Sequence, residues 1–106
     1  MNDLNSVLIE GKITEAPHTT ADNRCMFFML SVRREDDVIN GGTKRIESLI
    51  RVEVKLNRLA QACIENLPIG RGLRIIGRLE GETFTASDGP EHTELRVIAE
   101  HVESSL

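Results

Sequence analysis

A chain of 106 residues, 40% hydrophobic and 28% charged, is long enough to bury one core but too short for two, so one folded domain over 1–106 is expected rather than a disordered chain. A formal net charge of −4 argues against an indiscriminate nucleic-acid binder, but leaves open how the 13 Lys and Arg residues are distributed. No run approaches the roughly 18 apolar residues that span a bilayer, and Met1-Asn2-Asp3 opens no basic, apolar leader, so a cytoplasmic protein with no membrane partner is expected.

From Asn5 to Thr14, Val7, Ile9 and Ile13 share one face with Gly11, while Glu10, Lys12 and Thr14 share the other with Leu8, which predicts a first strand that Gly11 bends. Ala16 to Arg24 is polar and holds Pro17, Asp22 and Asn23, the composition of a connection. Cys25 to Arg33 is the most apolar segment. Met26, Phe28, Leu30 and Val32 mark its core face, leaving Phe27, Met29, Ser31 and Arg33 opposite, where Phe27 is free to meet a partner chain. Arg34 to Arg45 is charged and ends in Asn40-Gly41-Gly42-Thr43, which predicts a mobile loop with basic residues at both roots. A long third strand follows from Ile46 to Leu56, with Glu47, Leu49, Arg51, Glu53 and Lys55 on its half-charged face.

Asn57 then caps a helix in which Leu59, Ala60, Cys63, Ile64 and Leu67 recur at three- and four-residue spacing, and Pro68 and Gly70 end it. Leu73-Arg74-Ile75-Ile76-Gly77-Arg78-Leu79 and Glu94-Leu95-Arg96-Val97-Ile98-Ala99-Glu100 are two arms of a hairpin turning around Ser87-Asp88-Gly89-Pro90. Leu73, Ile75, Gly77 and Leu79 belong to one face; Arg74 and Arg78 share the other with Ile76. Glycine at 77 implies a bulge, a bend or close approach of another backbone. The order β-β-β-α-β-β predicts an all-β OB-fold, a five-stranded Greek-key barrel with one short helix between strands three and four, a fold whose faces and loops commonly bind oligonucleotides.

Catalytic and metal chemistry find little footing. Cys25 and Cys63 form no CxxC pair and read as reduced, buried thiols; His18, His92 and His101 have no metal-ligand spacing. Glu35, Asp36 and Asp37 form a solvated run, and Gly70-Arg71-Gly72 lacks the length and Lys-Ser/Thr end of a phosphate loop. No enzyme activity and no cofactor are implied. The cations, in contrast, are arranged. Arg33, Arg34, Arg51, Lys55, Arg74 and Arg78 fall on or beside the faces opposite the expected core, where ammonium and guanidinium groups can track phosphates and guanidinium planes can stack on bases. Glu47, Glu53, Glu80 and Glu82 lie on the same strands and would repel a backbone wherever they share that face.

Nearly the whole chain resembles the bacterial single-stranded DNA-binding protein family. The resemblance rests on Leu4-Asn5-Ser6-Val7-Leu8-Ile9-Glu10-Gly11, Val52-Glu53-Val54 with Arg58-Leu59-Ala60, Gly70 through Leu79, and Val97-Ile98-Ala99-Glu100-His101-Val102-Glu103. It implies an OB fold, homodimers or homotetramers, and sequence-nonspecific binding of single-stranded DNA in replication, repair and recombination. It also assigns Phe84 to a base-stacking position. Two departures stand out. The chain has no Trp or Tyr, so most family stacking positions are non-aromatic, and affinity should come mainly from phosphates with a steep salt dependence. It also stops at Ser104-Ser105-Leu106, where family members continue into a polar linker and an acidic tip that recruits replication and repair proteins; that tail is either cut away or missing. The rival expectation is a protein resembling a primosomal replication protein or a paralogue, acting mainly through protein contacts.

Overall fold

The computed structural model describes residues 1–57, 64–85, 87 and 89–105, with Phe84 described by its backbone alone. The strands are β1 (Val7–Ile13), β2 (His18–Thr19), β3 (Cys25–Asp37), β4 (Thr43–Lys55), β5 (Gly72–Thr85) and β6 (Glu91–Ser104). They form one sheet in the order β1-β5-β6-β4-β3-β2, and an additional β1–β3 pairing closes it into a barrel. Leaving aside the two-residue β2, the cyclic order of the five long strands is first, second, third, fifth, fourth, that of an OB barrel. All pairings are antiparallel except the short β4–β6 contact, where Val52, Val54, Val97 and Ala99 meet.

The alternation of each strand sends one set of side chains inward. Ile13, Met26, Phe28, Leu30, Val52, Val54, Leu73, Ile75 and Val97 form the core with Ile64. Removing these apolar surfaces from water at roughly 25 cal/mol per Å² is the main favourable term in folding. Glycine permits the closure at two points. A Cβ on Gly11 would overlap the Ser31 carbonyl oxygen where β1 leaves β5 for β3, and one on Gly77 would overlap that of Ile98. Gly77 also flanks the register shift between β5 and β6, so the bulge and the close approach coincide. Asn5 extends β1 beyond its end, its side-chain amide donating to the Leu79 carbonyl at 2.7 Å and its Oδ1 accepting from the Leu79 N–H at 2.8 Å.

Several expectations are corrected. The 16–24 connection contains β2, which pairs His18 with Phe27 and Thr19 with Met26. The charged stretch 34–45 is mostly strand rather than loop: β3 runs to Asp37, β4 starts at Thr43, and the turn is confined to 38–42, with Gly41 at φ +80°. Opposite charges face each other across this arm, Arg33 with Glu47, Glu35 with Arg45 and Asp36 with Lys44, which favours the extended pairing. The β5–β6 arm is likewise longer than expected, reaching Thr85 and Glu91. Leu79, expected inside, is 44% exposed because this arm leaves the core there. The expected helix falls mainly on 58–63, outside the described residues; Ile64, just beyond, is buried in the core, and Gly70 at φ +88° turns the chain into β5.

Gly77→Ala should destabilise the protein by about 3 kcal/mol or more, because its clash is with backbone rather than with a side chain that can turn away. Urea unfolding of wild type and variant measures this, and a loss below about 1 kcal/mol would show that the strands separate easily.

Candidate nucleic-acid interface

Beside the short parallel contact, the outer faces of β3, β4 and β6 form a concave surface. The groove there has a volume of about 720 Å³ and is lined by Met29 of β3, Leu49, Arg51 and Glu53 of β4, Glu82 of β5, and Glu94, Leu95 and Arg96 of β6; Thr20, Ala21 and Asp22 close one end. Strand alternation produces this set. Phe27 opposes Glu53 and Met29 opposes Arg51, so the residues between the core positions of β3 and β4 share the outer face.

The groove is organised by Glu53, which is only 5% exposed. Its Oε1 accepts from Arg51 Nε at 3.1 Å and lies 3.0 Å from Arg51 Nη2, and it also accepts from Arg96 Nη1 at 3.2 Å. Arg96 Nη1 donates to Glu82 as well, while Arg96 Nε is buried with no hydrogen-bond partner among the described residues. The Arg51 guanidinium lies over Phe27, its carbon 4.0 Å from the ring centroid, and His18 packs against that ring at 5.6 Å. Phe27 is therefore covered within its own chain, and Arg51 is the surface offered to the groove. At the groove's end the Thr20 hydroxyl donates to Asp22 at 2.6 Å and the Arg24 N–H at 3.1 Å; with the Thr20 bond as the largest cause, the Asp22 carboxyl is held below the ordinary carboxylate range. Burial, followed by the nearby Glu53 charge, pushes the Cys25 thiol up, so it remains protonated; Cys63 lies outside the described residues.

The seven site residues expected from sequence are not gathered in one tract. Of those whose side chains are described, Arg51 alone enters the groove. Lys55 and Arg78 share a smaller recess of about 380 Å³ with Asn57, Ile98 and Glu100, while Arg33 and Arg34 lie on the β3–β4 arm with Glu35, Arg45 and Glu47. Arg74 binds Glu10 at 3.0 Å and Glu103 at 3.4 Å on the β1–β5–β6 face. Phe84 lies opposite His92 in the β5–β6 arm. The arginines of the set all have carboxylate neighbours: Arg33 with Glu47, Arg34 with Asp36, Arg51 with Glu53, Arg74 with Glu10 and Glu103, and Arg78 with Glu80 and Glu100. Lys12, Lys44, Lys55 and Arg71 have no carboxylate partner among the described residues. Sequence reasoning missed Arg96 because a single arginine between Leu95 and Val97 reads as an ordinary outward strand position. The available signal was Glu53 between two valines, a buried charge requiring a cation from another strand.

The fold has counterparts in known proteins. Residues 4–105 match the model of the Single-strand binding protein family, and the chain belongs to that family. Similar solved structures include an SSB complex with ssDNA from Plasmodium falciparum, 14% identical with a TM-score of 0.84, covering 99% of this chain and 97% of that one. A small single-stranded DNA-binding protein from Streptomyces coelicolor is 19% identical with a TM-score of 0.73, covering 100% and 97%. A deletion mutant of the single-stranded DNA binding protein from Thermus aquaticus is 22% identical with a TM-score of 0.79, covering 97% of this chain and 51% of that one. No curated protein matches by sequence.

Glu53→Ala should cost about 2 kcal/mol, since it leaves the partly buried Arg51 guanidinium without its carboxylate and Arg96 with Glu82 alone, whereas Arg78→Ala, which removes solvent-exposed pairs, should cost less than about 1 kcal/mol. Denaturant midpoints at constant slope give both values; equal costs would contradict the role given to Glu53.

Proposed function

We propose that the chain binds and protects single-stranded DNA without strict sequence specificity, in replication, repair and recombination, and that the strand crosses the outer face of β3, β4 and β6. The family match over 4–105 carries this reading. The groove supports it physically: Met29, Leu49 and Leu95 offer apolar surface to unstacked bases, and Arg51 and Arg96 offer guanidinium planes for stacking. Phe84, on the arm bordering the groove strands, adds an aromatic platform. Arg33, Arg34, Lys55, Arg74 and Arg78 flank the path as phosphate contacts, with Arg74 the most remote. On this reading the protein acts by coating its ligand in the cytoplasm, without a catalytic step; recruitment of replication or repair proteins is a further role.

The oligomer has its own support. Leu8 and Ile76 lie opposite each other on β1 and β5, 68% and 42% exposed. An apolar pair on adjacent strands suits burial against a second copy in a homodimer, from which a homotetramer can be built. Acting mainly through protein contacts is the competing reading, favoured by the carboxylates already occupying the arginines.

Those carboxylates also change the expected salt response. Phosphates must compete with them, leaving about three effective contacts, so affinity for oligo-dT should fall roughly twentyfold between about 50 and 200 mM salt. Sedimentation of the protein with a labelled strand at both salts reports binding and assembly together. The expected result is a species heavier than the 11.8 kDa chain that carries the strand and loses it at high salt. A multimer that ignores DNA at low salt would favour the protein-contact reading, and a monomer under all conditions would remove the oligomer.

A further inference from the structure

Lys12 and Arg71 are exposed and have no carboxylate partner among the described residues, and closure of the barrel brings them to one place. At the seam where β1 passes from β5 to β3, Lys12 is paired with Gly72 on one side and with Ser31 on the other, while the Ile13 N–H donates to the Arg71 carbonyl at 3.1 Å. A recess of about 430 Å³ opens there, and Lys12, Ser31, Arg33, Gly72, Ser105 and Glu10 are among its lining. The carboxylates nearby are engaged. Glu10 accepts from Arg74 Nη2 at 3.0 Å, and Glu47, beyond Ser31, accepts from the Ser31 hydroxyl at 3.0 Å. A donor is left over. Ser105, its N–H tied to the Gly72 carbonyl at 2.9 Å, places its hydroxyl where a Cβ on Gly72 would overlap it, and that hydroxyl bonds to no described residue. An ammonium, a guanidinium and an unused hydroxyl around one recess are donors that suit an anionic oxygen.

We propose that the β1–β3 seam is a second nucleic-acid contact, where Lys12 and Arg71, with Arg33 and the Ser105 hydroxyl, hold the phosphodiester backbone of a single strand after it leaves the groove. The inference rests on the single-strand-binding reading and adds to it a site that the groove residues do not supply. The outer face is continuous between the two. Arg51 is opposite Met29, Ser31 follows Met29 on the same face of β3, and Ser31 is opposite Lys12. A strand running over Met29 therefore reaches Arg33 and Lys12 along one surface of the sheet. The charge state of the two places also differs. Arg51 and Arg96 are held by Glu53 and Glu82, so a phosphate in the groove must compete with a carboxylate, whereas Lys12 and Arg71 have no such partner to give up. Contacts of this kind fix the backbone and carry no sequence information.

Fluorescence anisotropy with oligo-dT of about 6 and about 16 nucleotides, which spans the length a single OB domain covers, separates the seam from the groove. The double variant Lys12→Gln, Arg71→Gln changes two exposed side chains and leaves the core untouched. At low salt it should bind the longer strand about fivefold or more weakly than wild type, while affinity for the shorter strand stays within about twofold. The slope of log affinity against log salt for the longer strand should fall by about 1.4, as two lost phosphate contacts require. Equal binding of the longer strand by wild type and variant would overturn the seam site while leaving single-strand binding intact. Equal weakening for both lengths would place the two cations on the path of the groove itself and overturn a separate contact. A loss of affinity with an unchanged salt slope would overturn the phosphate role. No binding of either strand by wild type would overturn the functional reading and this inference together.

Discussion

The barrel depends on β1 serving two neighbours. It pairs with β5 along Val7 to Lys12 and with β3 at Lys12 and Ile13, and that closure brings backbones too close for any side chain at Gly11. Gly77 allows the matching approach of β6 to β5 on the other side. With those contacts made, β4 and β6 meet in parallel over only a few residues. The outer face at that meeting is where Glu53, Arg51 and Arg96 converge. The groove is thus a consequence of how the sheet closes.

Glu53 occupies a position that an apolar residue could fill more cheaply. A buried carboxylate loses hydration, and its two arginines recover part of that loss. What the arrangement provides is orientation: Arg51 is held over Phe27 and Arg96 is held across β4 to β6, so both have little freedom left to lose to a ligand. A chain without Trp or Tyr can in this way still present planar surfaces on its outer face. The same ion pairs reduce the charge that the groove offers to a phosphate.

Much of the architecture was legible because period-two alternation identifies inward positions wherever a strand crosses the core. Met26, Phe28, Leu30, Leu73 and Ile75 are buried as their spacing implies, and Gly77 combines the bulge and the close approach that a mid-strand glycine suggests. The arms were not legible. Arg33 to Asp37 and Thr43 to Glu47 carry the charge density of a loop, and only their register shows opposite charges in apposition. The outward placement of the cations was legible, but not the ion pairs that hold them. Which carboxylate meets Arg74 or Arg78 depends on β1 and β6, and Arg96 acquires its role only from a parallel neighbour more than forty positions earlier in the chain.

The central claim is that the β3–β4–β6 face, rather than the β1–β5 edge, receives a single strand. Hydrogen–deuterium exchange of the protein with and without an oligonucleotide locates that surface directly. The account predicts slower exchange in peptides covering Cys25 to Ser31, Leu49 to Lys55 and Glu94 to Ile98 when the strand is present. Protection confined to Val7 to Ile13 and Gly72 to Ile76, with the groove peptides unchanged, would contradict it.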